Sequence, residues 1–166
     1  MPALALQCLS LPQTYYHQPE KTMEMLQRIL LIDDDEITNY MNMRVLNKAE
    51  IVKHIDVVTD GQAALNYLAS PAHLNAAQPL DLILVDIKMS GMDGFDFLEH
   101  YQHLPETQKA KKLFALSSSA SFYDLHRLKE FQDVDGHLSK PLTQADALAL
   151  VKEHFGDGAP EEASDL

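Results

Sequence analysis

Short apolar runs recur along this chain, and each stops at a polar residue of definite type. Ile29-Leu30-Leu31-Ile32 ends in Asp33-Asp34-Asp35-Glu36, Leu82-Ile83-Leu84-Val85 ends at Asp86, and Leu113-Phe114-Ala115-Leu116 ends in Ser117-Ser118-Ser119. A run that is apolar throughout, without alternation, suits a strand buried on both faces. Ile55 to Thr59 predicts a further strand, and Val134 to Leu138 contains the last. The intervening segments have helical spacing. The first spans about 37–48, with Ile37, Tyr40, Met41, Met43 or Arg44, and Val45 on one side. The second opens at Asp60 or Gly61 and runs to Ala69, with Ala64, Leu65 and Leu68 inward. Residues 95–103 form the next. Phe122, Leu125, Leu128 and Phe131, at three-residue steps, mark another, and 142–155 the last, with Ala147, Leu148 and Val151 inward. Ser70 to Pro79, rich in Pro and Ala, reads as a loop.

Five strand–helix units in succession predict an α/β domain, a parallel sheet covered by helices on both sides. The domain is expected to span residues 28–155. Residues 1–27 lack periodicity, contain Pro2, Pro12 and Pro19, and are expected to form a flexible N-terminal extension. Met23 and Met25, just ahead of the first strand, are candidate natural starts. Residues 156–166 carry Asp157, Glu161, Glu162 and Asp165 without a base and are expected to be a disordered acidic tail.

Composition narrows the function classes. With 46% hydrophobic and 23% charged residues among 166, the chain can bury a real core. A formal net charge of -12, with no Lys/Arg cluster, argues against nucleic acid as a partner. The single cysteine, Cys8, cannot close an internal disulfide, which points to a reducing compartment. No apolar run has the length of a membrane span, and the N-terminus lacks the basic start of a secretory signal, so a cytoplasmic protein is expected.

In open parallel sheets, ligands bind at the carboxyl ends of the strands. Here the first strand delivers Asp33 and Asp34, the third Asp86, the fourth Ser117, and the fifth Lys140 followed by Pro141. Singly, each is ordinary: an acidic run after a strand is usually a helix cap or a solvated loop, as Asp35 and Glu36 are read here. Together they place three carboxylates, a hydroxyl and an ammonium on one edge. Carboxylates about 4 Å apart repel by roughly 4 kcal/mol at an effective dielectric of 20, so such a cluster calls for a cation. Oxygen donors without His or Cys suit a hard ion, and Mg²⁺ takes few carboxylates while keeping several waters. With the metal and Lys140 offsetting charge, one carboxylate could act as nucleophile toward a phosphoryl group.

These motifs, Ile29 to Glu36, Asp81 to Gly94, Leu116-Ser117 and Ser139-Lys140-Pro141, make the stretch from Arg28 to Phe155 resemble the receiver domain of response regulators, of the chemotaxis-regulator type. The resemblance implies a doubly wound, flavodoxin-like five-stranded parallel sheet of order 2-1-3-4-5. It implies that Asp86 is phosphorylated by a histidine kinase or a histidine phosphotransfer protein, and that Asp33, Asp34, Asp86 and the backbone carbonyl of Lys88 hold Mg²⁺. It further implies that Lys140 pairs with a phosphoryl oxygen, that Ser117 is the switch hydroxyl, and that the Lys140–Pro141 bond is often cis. Such a domain is a signalling phosphoacceptor with slow self-phosphorylation and autodephosphorylation, not a conventional enzyme.

The sequence departs from the family pattern in four ways. Ser90 stands where Pro is usual, which is expected to loosen that loop. Lys88 brings a charge to the rim of the site. His137 stands where an aromatic switch partner is usual. No output domain follows Phe155, so a stand-alone receiver is expected, docking through the helix after Ser121, the last strand and the last helix, with Tyr123, His126, Arg127 and Lys129 exposed. Two rival functions fit poorly. A dehalogenase-type phosphatase needs a second acid where Lys88 stands, and a flavin binder needs a hydroxyl- and Gly-rich loop where Asp33 to Glu36 would repel phosphate. A receiver-fold binding module acting without phosphorylation is the serious alternative. If His137 takes the switch role, signalling varies with pH, and the His137→Phe variant loses that dependence; an unchanged pH response removes the idea.

Overall fold

The computed structural model describes residues 25–118 and 121–156. Most of the expected N-terminal extension, Ser119 and the acidic tail from residue 157 lie outside the described residues. Five strands, β1 (Leu26–Ile32), β2 (Val52–Val58), β3 (Leu82–Asp86), β4 (Lys112–Ser117) and β5 (Gly136–Ser139), form one sheet of order β2-β1-β3-β4-β5, with every pairing parallel. The helices are α1 (Glu36–Lys48), α2 (Gly61–Ala69), α3 (Pro71–Leu74), α4 (Gly94–Tyr101), α5 (Phe122–Leu128) and α6 (Gln144–Phe155). The order reverses between β1 and β3, and this crevice is where the fold opens a ligand site.

The continuous apolar runs are explained by the two cores they serve. Leu30, Ile32, Ile83 and Val85 pack on Ala64 and Leu68 of α2 and on Phe97, Leu98 and Tyr101 of α4. The alternate residues Ile29, Leu31, Leu82 and Leu84 pack on Leu46 of α1 and on Ala147, Leu150 and Val151 of α6. Successive side chains of a strand point to opposite faces, so a sheet covered on both sides needs an apolar residue at every position. Each fully buried side chain of this kind contributes about 1.5–3 kcal/mol.

Helix starts follow from capping. Asp35 accepts from the amides of Ile37 and Thr38, Asp60 from Ala63, and Asp93 from Asp96. Ser121 with Asp124, and Thr143 with Asp146, form reciprocal capping boxes.

Three expectations need correction. The first strand begins at Leu26, inside the stretch expected to be extension, because Leu26 is buried, pairs with Val52 and donates its amide to the Ile51 carbonyl at 2.7 Å. The loop after Ala69 contains α3, started by the Ser70 cap and Pro71 at its first position. On α1 the buried residues are Asn39, Asn42 and Leu46, whereas Ile37, Tyr40 and Met41 are exposed. The reason is local: Asn39 Nδ2 donates to the Asp33 carbonyl at 2.7 Å, so a polar side chain, not an apolar one, seats the first turn against the end of β1.

Two glycines shape the segment after β3. Gly91 has φ +76° with open space around it, while a Cβ on Gly94 would lie 2.4 Å from the Asp86 carbonyl oxygen and 2.6 Å from Ile87 Cα. The first position is costly to an L side chain only through its backbone, by about 1–2 kcal/mol. The second presses α4 onto the backbone that carries Asp86. Gly91→Ala is therefore expected to lower unfolding stability by about 1 kcal/mol. Gly94→Ala should cost about 3 kcal/mol or more, because backbone must shift. Denaturant melts of the two variants check this ordering, and equal losses would contradict it.

Candidate functional site

The carboxyl ends of β1 and β3 and the residue following β5 bring four of the predicted side chains together. Asp33, Asp34 and Asp86 each offer a carboxylate oxygen within 4.8 Å of the others. Asp33 and Asp86 are buried, and Asp34 is exposed. Lys140 reaches in from beyond β5: its Nζ lies 3.0 Å from Asp86 Oδ2 and in direct contact with Asp33 Oδ2. Its backbone is held by its own amide, which donates to the Ser117 carbonyl at 2.8 Å, and the Lys140–Pro141 bond is cis.

Each acid has a distinct set of partners. Asp33 Oδ1 accepts the Asp35 amide at 2.9 Å, which turns the chain directly into the α1 cap. Asp86 Oδ1 accepts the Lys88 amide at 3.3 Å. Asp34 Oδ2 accepts both the amide of Ser90, at 2.9 Å, and its hydroxyl, at 2.8 Å. The consequences differ in sign. Burial pushes the Asp86 carboxyl up from its ordinary value, against the opposing pull of Lys140. The Ser90 amide, then its hydroxyl, hold the Asp34 carboxyl below its ordinary value. One acid is thus strained by its charge while its neighbour keeps its charge readily.

Chemically the donor set fits a hard divalent cation. Three carboxylates converge, two of them buried, with one ammonium to offset them, so a net negative pocket remains. An octahedral Mg²⁺ bound through a few carboxylates plus water needs such a partly open arrangement. Receiver domains generally bind Mg²⁺ at an acidic pocket of this kind.

The remaining predicted residues lie at different distances from this centre. Ser117 is buried at the end of β4, one position beyond Leu116, the partner of Asp86 in the register. The Lys88 backbone runs beside Asp86, but its ammonium points outward, 60% exposed and 3.9 Å from Asp124 of α5. His137 sits on the edge strand β5 opposite Ala115 and is exposed. Of the expected docking residues, Arg127 is already engaged, pairing with Glu99 at 3.0 Å and covering the Phe95 ring at 4.2 Å. Tyr123 is exposed, as is Phe122 beside it.

One expectation about the site is reversed. Ser90 was expected to loosen its loop in place of the usual Pro, yet it ties that loop to Asp34 through two bonds, neither of which a proline could make. The signal was present in the residue type, since serine supplies an N–H and an O–H where proline supplies neither.

Comparison with known proteins adds an independent line. The family model described as response regulator receiver domain matches residues 29–152. A two component response regulator from Cytophaga hutchinsonii, solved by crystallography, is 30% identical, with a TM-score of 0.68 over 77% of this chain and 98% of that one. The probable methanogenesis regulatory protein FilR2 of Methanothrix harundinacea is 29% identical over 75% of this chain and 79% of its own length. The hybrid signal transduction histidine kinase L of Dictyostelium discoideum is 23% identical over 89% of this chain, which spans only 8% of that protein.

The electrostatics of the pocket yield a stability test. Because the Asp86 carboxyl is raised above its ordinary value in the fold, the unfolded chain releases this proton first as pH rises. Stability therefore falls through the window above the ordinary carboxylate range and stays reduced at neutral pH. In metal-free neutral buffer, Asp86→Asn is expected to raise the melting temperature by about 3–5 °C. Mg²⁺ at about 100 times its dissociation constant should stabilise the wild type by about 2.7 kcal/mol and the variant far less. Calorimetric melts with chelator and with Mg²⁺ check both signs.

Proposed function

This chain belongs to the response regulator receiver domain family, and from that premise we propose that it is a phosphoacceptor switch, taking a phosphoryl group onto Asp86 from a phosphohistidine of a partner kinase or phosphotransfer protein. Receivers are signalling modules of two-component systems, homologous to domains that accept phosphoryl groups from histidine kinases. The observation that carries the reading is the meeting of Asp33, Asp34 and Asp86 with Lys140 at the ends of strands far apart in sequence. Burial cost and mutual repulsion make such a cluster expensive, and a site that receives a dianion beside a cation puts that arrangement to use.

In this mechanism Asp86 supplies the nucleophilic oxygen. The P–N bond of the donor breaks with its electron pair returning to the imidazole nitrogen, and a P–O bond to Asp86 forms. Mg²⁺, when held by Asp33, Asp34, Asp86 and the Lys88 backbone carbonyl, supplies neutralisation of the charge on the transferring group. Lys140, already 3.0 Å from Asp86, stays paired with that side of the pocket and takes a phosphoryl oxygen. Ser117, buried at the end of the neighbouring strand, moves to bond another. The shift is passed from the end of β4 to α5, and the surface of α5, β5 and α6 signals by protein–protein contact. We place the protein in the cytoplasm, with neither nucleic acid nor membrane as its partner; no described helix is long and apolar enough to cross a membrane.

Incubation with Mg²⁺ and a small phosphodonor, followed by intact-mass measurement, is expected to add one phosphoryl group to the wild type. Asp86→Asn should add none, chelation should abolish uptake, and Lys140→Met should slow it by about 100-fold. Absence of any uptake by wild type would instead favour a receiver-fold binding module that signals without phosphorylation.

A further inference from the structure

We infer that Ser90 is a positioning residue for Mg²⁺ binding, holding the exposed carboxylate of Asp34 in place for the metal through its main-chain N–H and its hydroxyl; this rests on the metal site proposed above. Of the three acids, Asp34 is the one most in need of such a hold. Asp33 and Asp86 are buried and share the ammonium of Lys140, whereas Asp34 is exposed and pairs with no cation among the described residues. An exposed aspartate samples several rotamers, and binding an ion would require freezing one of them.

Ser90 removes that freedom beforehand. Two donors from one residue converge on a single oxygen, Oδ2, at 2.9 and 2.8 Å, across a separation of 56 residues. The bonds leave Oδ1 unclaimed by Ser90, so the carboxylate is anchored by one oxygen only. With both bonds in place, the ligand atoms of the three acids still lie within 4.8 Å of one another, so Ser90 holds Asp34 toward its neighbours and does not divert it from them. Outer partners of metal-bound carboxylates act in this way, fixing orientation ahead of binding. The same bonds join the loop after β1, which carries Asp33 and Asp34, to the loop after β3, the strand that ends in Asp86.

Calorimetric titration of the full chain with Mg²⁺ tests this in a graded series. Ser90→Thr keeps both donors and should bind as wild type does. Ser90→Ala keeps only the amide and should weaken binding about 3-fold, and Ser90→Pro, which keeps neither, about 10-fold, the low end of the loss usual for outer partners. Melting temperatures in chelator should change little across the series, whereas a merely structural serine would move them and leave Mg²⁺ affinity unchanged. Equal affinities throughout, or tighter binding by Ser90→Ala, would overturn the role of Ser90 while the metal site stands. No binding by wild type would overturn both.

Discussion

The structure turns on one ammonium set between two buried carboxylates. Lys140 touches Asp33 and lies 3.0 Å from Asp86, and both acids are almost removed from solvent. Such an arrangement is poorly explained as a device for stability. Desolvating three charges costs several kcal/mol each in practice, and apolar replacements of similar volume are often neutral or better. Burial holds the Asp86 carboxyl above its ordinary value despite its lysine, as that cost requires. A fold that keeps a costly cluster at its strand ends, while filling the strands themselves with Leu, Ile and Val, separates the part that holds it together from the part that acts.

That separation depends on the register of a parallel sheet. Ile32 pairs with Val85, and Asp33 and Asp86 follow one residue later on their own strands, so the two acids emerge level with each other. Asp86 in turn pairs with Leu116, and Ser117 pairs with Ser139, which delivers Lys140. A slip by one residue would turn every apolar side chain from one core to the other and lift an acid away from the lysine. The close approach of Gly94 to the Asp86 carbonyl sets α4 directly against the end of β3, because no side chain fits between them.

Most of this was legible in the residues because the strands are short, unbroken and apolar, and because each ends in a polar side chain of a different kind. Asp33, Asp34, Asp86 and Lys140 were predicted to share an edge, and the structure brings them together. What escaped was decided by tertiary contact. Ile37, Tyr40 and Met41 have the spacing of a core face, yet the α1 turn that meets β1 is chosen by a hydrogen bond from Asn39 to a backbone carbonyl. Val52 to His54 mixes an apolar residue with two polar ones and carries no strand signal alone, but β2 is an edge strand on which Lys53 and His54 are both exposed. Arg127 looked free on its helix and is committed to Glu99 and Phe95 instead.

The two departures nearest the pocket, Ser90 and Lys88, act on opposite sides of the same question. Ser90 turns inward and binds an acid of the pocket, adding order where the family pattern would have a rigid ring. Lys88 turns outward, its ammonium 3.9 Å from the Asp124 carboxylate that also closes the capping box of α5. The charge of Lys88 is therefore balanced from the start of α5 and not from the pocket, while its amide remains bonded to Asp86. With the lysine 60% exposed, a pair at that distance is weak, worth about a fraction of a kcal/mol, so Lys88 is joined to the pocket mainly through its backbone amide.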